Sequence, residues 1–364
     1  MIRIIKFRLR LVLHRRNMRR MEFDANATLS AQNGIFGLVT SRESAKVILQ
    51  PVPWEVTTSY GGGTAGGPEA ILRASSQLDL FDLETGKAFE QGYFMLPIPH
   101  DLFERNQALR PDALEIRRQL ESDGKLDAKG LLLQKEINLA CGKMVNTIYQ
   151  QTAQILADKK IPGVIGGDHS SPEGAIRAVS ESVQGDFGIL HIDAHADLRH
   201  AYQGFQHSHA SIMYNVMHAA WRPKKLVQVG IRDFCHEEYD LIRSRQDIAT
   251  YFDLEMKREL LAGTAWSLLC RQIVESLPKQ VYISFDIDGL SPEFCPSTGT
   301  PVPGGLSFDQ AVYLLGAVCK SGRRVVGFDL NEVAPGPTEW DGNVGARILY
   351  KLCGWAVLSQ RGAF

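Results

Sequence analysis

The chain has 364 residues, is 44% hydrophobic and carries a formal net charge of -1, enough to bury one large core or two modest ones. A near-neutral balance supplies no general attraction to nucleic acid or to an anionic membrane, so function must come from a local site. No run of about 18 apolar residues occurs, so no transmembrane helix is predicted; the six cysteines form no CxxC pair, which argues against a disulfide framework or zinc knuckle and fits a reduced, cytoplasmic protein.

In chain order, the first stretch is "MIRIIKFRLRLVLHRRNMRRM", rich in Arg and Lys with no acid before Glu22. Residues 1–22 are expected to be a disordered basic leader, with Met18 and Met21 as alternative starts. A transit peptide or membrane-surface helix is the competing reading, and the Ser enrichment of transit peptides is missing. Residues 23–364 are expected to form one domain. "AKVILQPVPW" (45–54) predicts a strand ending in a Pro-rich turn, and "YGGGTAGGPEAILRAS" a Gly-rich loop opening a helix with Pro68 near its first turn. Apolar spacing of three and four over residues 130–160 predicts a helix stopped by Pro162. Short apolar strands follow around "IPGVIGGDHS", "DFGILHIDAHADL", "KLVQVGIRDF", "QVYISFDIDGL" and "RRVVGFDLNEV", with segments between them long enough for helices. This alternation implies an α/β protein with a parallel sheet covered on both faces.

All of these strands except "KLVQVGIRDF" end in acids or a His, and ligands of open parallel sheets bind at the carboxyl ends of strands. "GGDHS" supplies His169, "DAHAD" supplies Asp193, His195 and Asp197, and "SFDID" supplies Asp286 and Asp288. Taken singly, the first could be a helix-capping turn and the last a solvated strand end. Gathered together, four carboxylates and two imidazoles would repel one another and lose hydration unless cations neutralise them. They are too many for one catalytic zinc but suit two ions sharing bridging carboxylates, and the absence of thiolate favours a harder ion such as Mn²⁺, with Ni²⁺ compatible.

With "GGDHS", "DAHADLR", "SFDIDGLSP" and "GTPVPGGLS" (299–307) in this order, the chain resembles the ureohydrolases, which include arginase and agmatinase, over residues 45–355. The resemblance implies a three-layer α/β/α sandwich around a mainly parallel sheet of eight strands and a binuclear manganese centre. It places His169, Asp193, Asp197 and Asp286 on one ion, and Asp193, His195, Asp286 and Asp288 on the other or between the two. It makes Glu332, in "GFDLNEV", the acid that holds the substrate guanidinium, and His209, in "SHASIM", a proton shuttle. The partner it implies is a small guanidino compound, cleaved to urea and an amine, and the assembly a homotrimer or homohexamer.

Leu198, Arg199 and His200 stand where arginase proper has small polar residues, so the chain looks like the agmatinase branch, acting on agmatine to give putrescine. Formimidoylglutamase shares the Asp-Leu-Arg run but typically lacks a counterpart of His209. Two departures point to another guanidine, free guanidine included: Ser291 where many relatives have Asp, and a long, charged segment at 76–135. Trp54 and Trp340 are candidates to stack on a guanidinium, or simply core residues. From other classes, a zinc deacetylase would need only one Asp-His-Asp set, and a silent regulatory subunit would usually lack a ligand; here none is missing.

Overall fold

The structure, a computed structural model, describes residues 30–183 and 185–361; the expected leader at 1–22 lies outside the described residues. The elements run β1 (Val47–Val52), α1 (Gly67–Ser75), β2 (Tyr93–Met95), α2 (His100–Asp123), α3 (Ala128–Ala157), β3 (Ile161–Gly166), α4 (Glu173–Ser182), β4 (Phe187–Ile192), α5 (Ile212–His218) and β5 (Lys225–Ile231). Then come α6 (His236–Ser244), β6 (Ile248–Phe252), α7 (Asp253–Leu261), α8 (Trp266–Glu275), β7 (Gln280–Asp286), α9 (Phe308–Lys320), β8 (Arg324–Asn331) and α10 (Trp340–Leu358). Local signals account for several boundaries. Pro68 occupies the first turn of α1, Asp127 caps α3 by accepting from Gly130 N, and Ser307 with Gln310 forms a capping box at α9. One boundary differs from expectation: α3 ends at Ala157, where Lys159 turns left-handed (φ 58°), and Pro162 lies inside β3 instead of stopping the helix.

Eight strands among the described residues form a single sheet in the order β2-β1-β3-β8-β7-β4-β5-β6, and every pairing is parallel. The central strands are apolar almost throughout because both faces are covered. Val281, Ile283 and Phe285 of β7 pack with residues of α1, α8, α9 and α10, whereas Tyr282 between them packs with residues of α4 and α5. Helices α2 and α3 extend that second layer over β1 and β3 through Leu109, Ile116, Ile137 and Met144. The result is a three-layer α/β/α sandwich.

Two features of the sheet position the site. Strands β3, β8, β7 and β4 are consecutive neighbours, so the loops after them, far apart in sequence, emerge side by side at one edge. Within the sheet, Gln228, His191, Ser284 and Asp329 are cross-strand partners in register on β5, β4, β7 and β8. All four are fully buried, which makes a polar row directly beneath the loop ends.

Candidate metal centre

The six predicted ligands converge at the carboxyl ends of β3, β4 and β7. His169 Nδ1 lies 2.9 Å from Asp193 Oδ2, 3.0 Å from Asp286 Oδ2 and 3.4 Å from Asp197 Oδ2. His195 Nδ1 lies 3.1 Å from Asp288 Oδ2 and 3.5 Å from Asp193 Oδ1. Asp193 therefore belongs to two donor sets, one oxygen to each. Backbone donors orient the carboxylates: His195 N donates to Asp193 Oδ1 (2.6 Å), Asp288 N to Asp286 Oδ1 (2.8 Å) and Ala194 N to Asp288 Oδ1 (3.0 Å).

The hydrogen bonds of His169 fix the orientation of its ring. Ser284 Oγ donates its single proton to Asp329 Oδ1 (3.0 Å), so it can only accept from His169 Nε2 (2.9 Å). The neutral ring then carries its proton on Nε2 and turns the Nδ1 lone pair toward three carboxylates, an arrangement that requires a positive charge at Nδ1. A metal-ligating imidazole shows this pattern, donating its other N–H outward to fix its orientation. On the protein groups alone, burial opposes charge on His169, but the bonds with Asp193 and Asp286 hold its pKa well above the ordinary imidazole value. Burial, then the Asp193 charge, pushes Asp197 well up; burial, then Asp288 and Asp193, does the same to Asp286. Burial also opposes ionisation of Asp193, yet His191, His169 and His195 keep it well below the usual carboxylate range. The donor set, carboxylate and imidazole without thiolate, fits divalent cations between these groups.

Asp197 and Glu332 share two further properties. Each has a left-handed backbone, φ 55° and 62°, which costs a non-glycine residue about 1–3 kcal/mol. Each also has a buried carboxylate oxygen, Asp197 Oδ2 and Glu332 Oε2, that accepts no hydrogen bond. Such strain and unsatisfied charge persist where a ligand is to be bound. Glu332 Oε1 accepts from His169 N (3.0 Å) and lies 3.4 Å from His209 Nδ1. His209 Nε2 faces Ser59, accepting from its backbone N–H at 3.2 Å and meeting its hydroxyl at 3.0 Å. Ser59 and His209 open onto a cavity of about 300 Å³ lined also by His169, His195, Asp197, Asp286 and Glu238, with Tyr60, Tyr202, Arg199 and Asp233 among its other walls, and Glu332 lies behind His209.

The sequence reading missed the support beneath the ligands. His191 donates Nε2–H to Asp193 Oδ2 (2.8 Å) and receives Gln228 Nε2 at Nδ1 (3.1 Å). His191 falls geometrically within the His169–Asp193–Asp197 group, but both its nitrogens are engaged, which suits it to orient Asp193; Asp286 is the freer ligand. The available signal was a polar residue interrupting an apolar strand two positions before a ligand, as in "LHID" and "ISFD". Asp233, at the end of "KLVQVGIRDF", was also overlooked and stands at the cavity with His195 Nε2 3.9 Å away. Neither tryptophan lines the cavity: Trp54 is buried among α2 and α3 residues, and Trp340 Nε1 donates to Glu293 O. His207 pairs with Glu173 at 2.9 Å.

Comparison with known proteins identifies the family. The model of the arginase family matches residues 45–354. An N(1)-aminopropylagmatine ureohydrolase of Synechocystis sp. is 31% identical over 325 residues, covering 89% of this chain and 93% of its own. The Thermus thermophilus protein of the same name is 34% identical over 320 residues, covering 86% and 92%. Among solved structures, the agmatine ureohydrolase of Thermoplasma volcanium superposes with a TM-score of 0.66 at 21% identity, covering 89% of this chain and 94% of its own. Proclavaminate amidino hydrolase from Streptomyces clavuligerus gives 0.67 at 24%, covering 87% and 93%; both likenesses concern the fold. With a family match that runs from the first strand of the sheet to its last helix, the chain belongs to the arginase family and is an amidinohydrolase.

Proposed function

We propose that this chain hydrolyses a guanidino group borne on an amine chain, N(1)-aminopropylagmatine or agmatine, releasing urea and the free polyamine. The observation that carries the proposal is the sharing of Asp193 between His169 and His195, beside the unsatisfied Glu332 Oε2. In this reading His169, Asp193, Asp197 and Asp286 would hold one Mn²⁺, and Asp193, His195, Asp286 and Asp288 would serve a second, with Ni²⁺ as the competing ion. Such ions, when bound, supply Lewis acidity that makes hydroxide available near neutral pH.

The chain's own residues do the rest. Glu332 Oε2, buried and without a donor, takes a guanidinium N–H and orients the planar carbon in the cavity. The water oxygen adds to that carbon, the bond from carbon to the chain nitrogen breaks, and that nitrogen needs a proton to leave as an amine. In this reading His209, with Nδ1 toward Glu332 and Nε2 facing Ser59, takes up the proton that the attacking water gives up and passes it to that nitrogen, so the neutral ring is restored. The cavity walls carry Asp233 and Glu238 besides the ligands, against a single arginine, Arg199, which Glu238 already faces at 3.5 Å. This acidic lining suits a polycation without a carboxylate and opposes arginine or formimidoylglutamate. The names of the relatives at 31–34% identity move the preferred substrate from agmatine to its aminopropyl derivative.

The test is urea release by manganese-loaded and nickel-loaded protein from aminopropylagmatine, agmatine, arginine, guanidinobutyrate, formimidoylglutamate and guanidine, with metal counted per chain. Highest kcat/KM for an amine-tailed guanidine, with two ions per chain, is expected. Preference for a carboxylated or free guanidine would overturn the substrate assignment, and the absence of urea from every substrate would overturn the reaction. The same preparation, sized by light scattering, tests a trimer or hexamer.

A further inference from the structure

We infer that Arg110, on α2, is a positioning residue for His209 that acts through the loop between them; this rests on the hydrolytic reading above. Helix α2 lies in the long charged segment that the motifs leave unexplained. Asn106 and Arg110, four residues apart and so on one face of the helix, both grip residues 55–61. Fully buried Asn106 accepts Glu55 N on Oδ1 at 2.7 Å. Arg110 Nη1 donates to Val56 O (3.1 Å) and Thr58 O (2.6 Å), and Nη2 donates to Gly61 O (3.2 Å). Three carbonyls of one short stretch thus converge on one planar fork, which a lysine ammonium on a flexible stem cannot reproduce.

The other side of the same stretch faces the site. His209 N donates to Thr57 Oγ1 at 3.3 Å, and Ser59 presents its N–H and hydroxyl to His209 Nε2. Beyond Gly61 the loop is closed by Glu55, whose carboxylate collects Gly63 N, Thr64 Oγ1 and Ala65 N at 2.6, 3.2 and 3.1 Å. Gly61 itself is left-handed (φ 43°) and so close to Gly299 that a Cβ would stand 2.5 Å from Gly299 O, leaving the loop little freedom on that side. A backbone N–H can only donate, so Ser59 N obliges His209 Nε2 to be the acceptor and Nδ1, 3.4 Å from Glu332, to carry the proton of the neutral ring. Arg110 sets where Ser59 stands, and Ser59 sets which nitrogen of His209 holds the proton.

The experiment is a double-mutant cycle on the metal-loaded protein, with Arg110→Ala, Arg110→Lys, His209→Ala and the combination Arg110→Ala/His209→Ala. Metal content and melting temperature are followed for each. R110A is expected to lower kcat about tenfold or more, since small misplacements of catalytic groups have effects of that size, with R110K intermediate. In the H209A background the same substitution should change kcat less than about twofold. A full R110A penalty in that background, or wild-type kcat for R110A, overturns the inference. Should R110A not fold, R110K run through the same cycle decides it. A second readout needs no turnover: carbethoxylation of His209 by diethyl pyrocarbonate, followed by mass spectrometry, should speed up severalfold in R110A because Nε2 loses its cover. An unchanged rate overturns the inference. A wild-type protein releasing no urea would instead remove the hydrolytic reading, while the labelling rate still decides the role of Arg110.

Discussion

Replacing His191 by alanine tests whether the polar row under the ligands orients them or only fills space. The side chain is fully buried, donates to Asp193 Oδ2 at 2.8 Å and accepts from Gln228 Nε2 at 3.1 Å. Truncation leaves one carboxylate oxygen and one amide N–H short of a partner in the buried interior. At about 1–3 kcal/mol for each group left unpaired, the metal-free fold should lose roughly 2–6 kcal/mol before any cavity contribution. The functional effect is separate: Asp193 faces both His169 and His195, so freeing its carboxylate to rotate disturbs both donor sets. Loss of such an outer hydrogen bond weakens metal binding about 10–100-fold. Manganese affinity is read by competition with a chromophoric chelator, and stability by thermal melting of the metal-free protein. His191→Gln, which keeps one donor, should fall between. A variant that melts lower but binds manganese as tightly as wild type would refute the orienting role and leave His191 a packing residue.

Three further outcomes are expected. Asp193→Asn keeps the shape but removes the shared charge, so metal per chain, counted by mass spectrometry, should fall below two; retention of both ions would sink the bridging assignment. Gly67→Ala places a Cβ 2.3 Å from Val333 O, next to Glu332, and should cost about 1–3 kcal/mol by overpacking, visible as a lower urea midpoint; an unchanged midpoint contradicts the contact. Asp82 is held below its ordinary pKa despite burial, by the Lys351 ammonium (2.6 Å) and Thr85 N (2.8 Å). A depressed carboxylate adds stability that is present above the unfolded value of about 4 and is lost as pH falls through the lower folded value. Asp82→Asn should therefore flatten the fall of melting temperature below about pH 4 in metal-free protein, and an unaltered acid limb would count against it.

The acids and histidines that converge at the strand ends were legible because they sit on three short stretches where such residues interrupt apolar strands, and charge gathered there calls for an opposite charge. The fold class was legible from the alternation of buried strands with helical segments. What only the tertiary structure decided is adjacency. His169 and Glu332 are 163 residues apart yet joined by a hydrogen bond, because β3 and β8 are neighbours, and the choice of neighbouring strands depends on crossovers and packing that no local pattern carries. The same holds for Ser284 and Asp329, polar residues in apolar strands whose partners depend on register, and for Trp54 and Trp340, which chemistry alone admits to the site but which the fold puts in the core and at the half-exposed start of α10. Arg110 is the extreme case: an ordinary charged residue of a helix by sequence, it meets the loop at residues 56–61 only because α2 packs over β1 and β3, where its fork finds three carbonyls of that loop.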